Sequence, residues 1–155
     1  MRQELFGYRS LAYSNWHRTD SLARYLPADQ AHRLSMIDLD ACVYIEYSME
    51  TRVPLVLIET ARDVGQKYKS GTVVSQLAKR AGLPAYALLY RLAETTNPAD
   101  SRFADLCGFR IRRLYPKPES QWRTLTPYGW ANALIRIRAW SIKHQNVSAA
   151  NDEKF

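Results

Sequence analysis

Cysteine is almost absent: Cys42 and Cys107 are the only two in 155 residues, too few for the disulfide framework of a small secreted domain. Both sit in apolar stretches and are expected as buried thiols in a reducing cytoplasm. Histidine is nearly as scarce. His17, His32 and His144 are scattered and, with the two cysteines, offer no zinc-ligand spacing. No apolar run approaches the roughly 18 residues needed to cross a bilayer, so no membrane partner is expected. The first ten residues, MRQELFGYRS, lack the apolar stretch of a secretory signal, which points to a cytoplasmic location. Internal repeats and low-complexity tracts are missing too. What remains is a chain with 46% hydrophobic and 24% charged residues, a composition and length suited to one globular domain.

Acidic residues are scarce in one region only. From Met1 to Ser101 the signs nearly cancel, with twelve Lys and Arg against eleven Asp and Glu. From Arg102 to Lys143 there are nine against two, so the net charge of +7 is concentrated there. A polyanion such as DNA is the natural partner for that segment. A basic face that only aids solubility is the plainer alternative, and docking on an acidic protein partner is another.

Periodicity places the elements. Residues 2–16 and 21–34 read as helical, with Pro27 interrupting the second piece and Asp20 as its N-cap. Ile37, Leu39, Ala41, Val43, Ile45 and Tyr47 then alternate with Asp38, Asp40, Cys42, Tyr44 and Glu46, a strand with one apolar and one polar face. Val53 to Glu59 is nearly all apolar and suits a central strand buried on both faces. The polar residues between them make the pair a hairpin. A helix follows over 73–81, capped by Thr72 and ended by Gly82 and Pro84, and a strand over 85–91. Residues 93–108, with Asn97-Pro98, read as a loop; 109–115 read as a strand. Trp130, Ala133, Leu134, Ile137 and Trp140 form the apolar stripe of a last helix starting near Pro127. One domain over 1–144 with a disordered polar tail over 145–155 is expected. The fold class is α/β: a mixed sheet, built from a hairpin, a helix crossover and further strands, flanked by helices.

The hairpin carries the chemistry. Asp38 and Asp40 lie on one face near the start of its first strand, and Glu59 ends its second. Antiparallel pairing brings the start of one strand beside the end of the next, so these acids converge at one edge. Clustered carboxylates repel, and a hard divalent cation removes that cost. Oxygen-only ligation suits Mg²⁺ or Mn²⁺, which can activate water and stabilise charge on a phosphodiester. The solvated face of an edge strand is the bland reading of the two aspartates. Glu59, closing an apolar run, is expected to be partly buried.

The run IDLD, a hairpin, PLVLIET, a lysine-containing link, a helix and the strand LPAYALLY together resemble the core of the PD-(D/E)xK nuclease superfamily, the restriction-endonuclease-like fold. The resemblance covers about Ser35 to Tyr90. It implies a Mg²⁺- or Mn²⁺-dependent DNA endonuclease with Asp40, or Asp38, as first acid and Glu59 as second. The family's lysine falls two residues after the second acid, where this chain has Ala61. Lys67 or Lys69 then supplies the ammonium from the link, with Gln66 as a polar stand-in. A glutamine on the next helix matches Gln76, although Arg80 stands where a tyrosine is expected. Small nucleases of this fold are often homodimers. Arg110, Arg112 and Arg113, then Arg136 and Arg138, are the expected nucleic-acid contacts. The missing lysine leaves a second expectation open: an inert relative, phage- or mobile-element-encoded, that binds DNA or inhibits a partner on the same scaffold.

Overall fold

A computed structural model describes residues 26–31, 39–46 and 52–152. The chain divides into two units, Met1–Asp38 and Leu39–Phe155. Of the first, the described part is a four-residue helix α1 (Ala28–Ala31), which starts directly after Pro27, as a residue with fixed φ and no N–H favours. The remainder of the two helices expected before the hairpin, with Asp20 and Asp38, lies outside the described residues.

The described part of the second unit is a five-stranded mixed sheet with two helices. Its strands are β1 (Ala41–Glu46), β2 (Arg52–Arg62), β3 (Ala85–Asn97), β4 (Asp100–Tyr115) and β5 (Arg123–Leu125), neighbours in chain order. Only β2 and β3 are parallel, because α2 (Thr72–Ala81) carries the chain back between them. The other pairs are antiparallel. The second helix of this unit is α3 (Pro127–Asp152).

Leu55 to Glu59 are all buried, which is why β2 reads as an unbroken apolar run: it is covered on both faces. On one face Leu57, Ala85, Ala87 and Leu114 pack under Val74 and Ala78 of α2. On the other, Val56, Ile58, Leu88, Phe109 and Ile111 pack against Trp130 of α3, with Phe109 and Trp130 ring centroids 6.1 Å apart. Gly71 lets α2 lie close on β4, since a Cβ there would come within 2.6 Å of Leu114. Gly82 ends the helix at φ 66°, and the following Leu83 N–H donates to the Ala78 carbonyl at 2.9 Å.

The structure corrects several expectations. Helix α2 begins at Thr72, after an N-cap Gly71 that makes no side-chain cap bond, so Thr72 is not the cap. Residues 93–108 are not a loop. Strands β3 and β4 run on through them as a long hairpin arm, turned tightly at Asn97, whose Oδ1 accepts from the Ala99 N–H at 2.9 Å. The turn residues marked a real reversal, but cross-strand pairing overrode weak local strand propensity on either side. Strand β5 was not expected. Helix α3 continues through residue 145 to Asp152. Its stripe ends early: Trp140 is 43% exposed, and Ser141 takes the buried place, its hydroxyl donating to the Leu55 carbonyl at 2.6 Å. Both cysteines are exposed, not buried. Cys42 lies opposite in parity to Ala41 and Val43, which face the α3-side core, so it points away from that core.

Candidate active site

Glu59 alternates with Ile58 and so shares the α2 side of the sheet with Leu57. It is 5% exposed, at the carboxyl end of the buried part of β2. A buried carboxylate is costly unless paired. Its partner comes from the link between β2 and α2.

That link is pinned at many points. The Asp63 N–H donates to the Tyr90 carbonyl at 2.8 Å, and the Asp63 carboxylate accepts from the Gly65 N–H at 2.9 Å. Gln66 closes the turn, accepting from the Val64 N–H and donating to the Arg62 carbonyl, both at 2.8 Å. Arg110 forks onto Asp63, with Nε 2.7 Å from Oδ2, and also reaches the Gln66 carbonyl at 3.0 Å. The Trp122 indole N–H donates to the Lys67 carbonyl at 2.9 Å, and Arg112 to the Lys69 carbonyl at 3.3 Å. Both arginines also lie against the Trp122 ring, 5.6 and 5.2 Å from its centroid. With its backbone so held, Lys69 places its ammonium 2.8 Å from Glu59 Oε1. The Arg110 guanidinium beside Asp63 lowers that carboxyl to about 2, and the Asp63 carboxylate raises Arg110 in turn.

Among the described residues two buried polar atoms are left over: Glu59 Oε2 and Arg112 Nε have no hydrogen-bond partner there. The strand register sets Glu59 beside Ala87 and Ala87 beside Arg112, so the two side chains flank one methyl group on a common face. Their Cα atoms are therefore roughly 10 Å apart, two strand spacings.

Asp40 precedes β1. Ala41 pairs with Ile58, so one step further along the ladder sets Asp40 beside Glu59, as the hairpin argument requires. Its Oδ2 accepts two bonds from β2, from the Thr60 N–H at 2.7 Å and the Thr60 hydroxyl at 3.2 Å. Asp38 lies outside the described residues. Among the described residues, no three Asp, Glu, His or Cys side chains gather to hold a metal ion.

The other expected residues divide sharply. Lys67 contributes its backbone carbonyl, while Lys69 contributes its ammonium. Gln66 is a structural turn residue. Gln76 lines a cavity of about 270 Å³ with Tyr68, Thr72 and Arg112. Arg110 and Arg112 face the Glu59 side but are spent on the link. Arg113, one residue further along the strand, faces the other side beside Tyr86 and bonds Lys117 and Glu119. Arg136 and Arg138 are exposed on α3, across the sheet from Glu59. The five arginines are thus not one patch. Asp63 and Trp122 were missed as positioning residues. Strand parity in β4 sets Arg110 and Arg112 on one side, but nothing local announces their partners.

No protein-family model, curated protein or solved structure matches the chain. Among the described residues no helix is long and apolar enough to cross a membrane.

Proposed function

We propose that the chain is a metal-dependent deoxyribonuclease of the restriction-endonuclease-like class. The observation that carries this reading is the Glu59–Lys69 pair, a half-buried ammonium 2.8 Å from the carboxylate that closes the buried part of the core strand. Ala61 lies two residues on in the same strand and shares the face of Glu59, so its short side chain leaves room for a lysine arriving from the link. The hairpin, the α2 crossover and the parallel β2–β3 pair support the same reading.

The residues fit a hard cation in one respect that matters: Glu59 Oε2 is buried and without a hydrogen-bond partner among the described residues, and Asp40 follows it in register. Mg²⁺ is commonly held by one or two carboxylates together with substrate phosphate oxygens. Asp40 and Glu59 would hold it, and it would supply charge stabilisation at the phosphodiester and a more acidic water. The chain's own part is orientation. Lys69 has three ammonium donors, of which Glu59 takes one, so the others can hold a water or a phosphoryl oxygen. Arg112, Trp122 and Asp63 keep the link, and hence that ammonium, in place.

Glu59→Gln should abolish Mg²⁺-dependent cleavage of linear, branched and single-stranded DNA while the thermal melt stays cooperative. Full cleavage by that variant removes the assignment. One observation favours a second reading, an inert scaffold that binds DNA: Asp40 already accepts two bonds from Thr60. Absence of cleavage in the unsubstituted protein with Mg²⁺ and with Mn²⁺, with DNA binding kept, selects it.

A further inference from the structure

Another cavity lies on the other side of the sheet from Glu59. It measures about 580 Å³ and is lined by Tyr86, Arg113, Lys117, Arg136, Trp140 and His144, among others. A neighbouring cavity of about 380 Å³ shares Trp140 and His144 and adds Lys143. The two make one groove around a single feature. Trp140 and His144 stand four residues apart on α3, one turn above the other, with ring centroids 3.8 Å apart and planes inclined 28°. The carbonyl of Trp140 can only accept, so His144 Nδ1 donates to it at 2.8 Å, which fixes the imidazole over the indole. Arg136, four residues before Trp140, continues the same row.

The groove's charge has one sign. Among the described residues Arg113, Lys117, Arg136 and Lys143 line it, and no Asp or Glu does. Arg113 is partly answered from outside by Glu119 at 3.6 Å. The other three cations meet no acid among the lining residues. An exposed indole in a stack, a tyrosine and a row of cations in a cavity within the usual size range of small-ligand sites match one chemistry: a flat aromatic ring joined to phosphate. An acidic peptide would use the cations but leave the stacked rings without a role.

We propose that this groove binds nucleoside phosphate units of unpaired nucleic acid, a base extending the Trp140–His144 stack and the backbone phosphates meeting Lys117, Arg136 and Lys143. A base inside a duplex has both faces covered by its stacked neighbours, so the interior of a duplex is excluded from the stack. The groove's described lining holds no acid for a metal, and its binding is independent of divalent ions. It extends the proposed function by naming an unpaired strand, yet it stands or falls separately, because binding is read without cleavage.

The test is fluorescence anisotropy of a labelled oligothymidylate with the full chain in EDTA, alongside quenching of tryptophan emission. Binding should be tighter for the single strand than for a duplex of equal length or for thymidine monophosphate. Trp140→Ala should weaken it roughly 5- to 150-fold, the range for losing one base–aromatic stack, and Trp140→Phe should recover much of the loss. Arg136→Gln and Lys143→Gln should each flatten the log–log salt dependence by about 0.7. Glu59→Gln should leave this binding in place. Trp140→Ala binding as tightly as the unsubstituted protein, with an unchanged melt, overturns the proposal. So does displacement of the oligonucleotide by an acidic peptide but not by unlabelled single strand. Monophosphate binding as tight as the strand assigns the groove to a free nucleotide and overturns the strand assignment.

Discussion

The two faces of the sheet use the same residue types for opposite ends. On the α2 side, basic side chains turn inward: Lys69 onto Glu59, Arg110 onto Asp63, Arg112 onto a backbone carbonyl and an indole. On the α3 side the interior is apolar, and Arg136, Arg138 and Lys143 stay outside. Charge on the first face builds a site by fixing a loop. Charge on the second stays exposed. The segment with nine basic residues against two acidic supplies both faces, because strand alternation divides Arg110 and Arg112 from Arg113. Net charge along a sequence therefore overstates the positive surface.

The comparison breaks first under mutation of its apolar side. Trp130 is buried among Phe109, Ile111 and Ile58, so Trp130→Ala should cost about 3–5 kcal/mol in urea unfolding. Because that loss is of packing, it should be nearly the same at low and high salt. A loss that halves in high salt would mean that the α3 face, too, is held by charge.

The next effect is catalytic and belongs to the α2 side. On the proposed function, Lys69→Ala should slow Mg²⁺-dependent cleavage on the order of 100-fold, as expected for one well-placed donor. Lys67→Ala, whose side chain is exposed and whose carbonyl remains for Trp122, should stay near the unsubstituted rate. Equal losses in the two variants would show that the ammonium's position beside Glu59 is irrelevant.

How much of this was legible in the sequence follows from which forces set each part. The β1–β2 hairpin, the α2 crossover and the Glu59 burial were readable, since periodicity and an unbroken apolar run report burial directly. The two link lysines could be named but not separated. What separates them is a set of contacts from Arg112 and Trp122, more than forty residues away in the chain. The long β3–β4 arm escaped notice because its strands pair mainly with each other and bury little, so no alternation marks them. Trp140 looked like core by spacing alone. Helical spacing tells which residues share a stripe, not how far along the helix the sheet still covers it.

The smallest effect tests whether the inward charges stabilise the fold. Asp63 titrates at about 2 beside Arg110, against an ordinary value of 3.8. A carboxyl with a depressed folded-state value adds stability above its unfolded value and loses it as the pH falls. The contribution should be present at neutral pH, decline from about pH 4 and be mostly lost by about pH 2, the folded-state value. After allowance for solvent screening at this partly exposed pair it should amount to about 1–2 kcal/mol. Asp63→Asn should therefore unfold at lower urea than the unsubstituted protein at pH 7, and the two should converge as the pH approaches 2. High salt should shrink the gap at pH 7, since Arg110 reaches Asp63 at a partly open edge. Trp130→Ala should show neither the convergence nor the salt effect. A gap for Asp63→Asn that persists unchanged to acid would mean that its hydrogen bonds to Gly65 and Arg110, rather than its charge, hold the link.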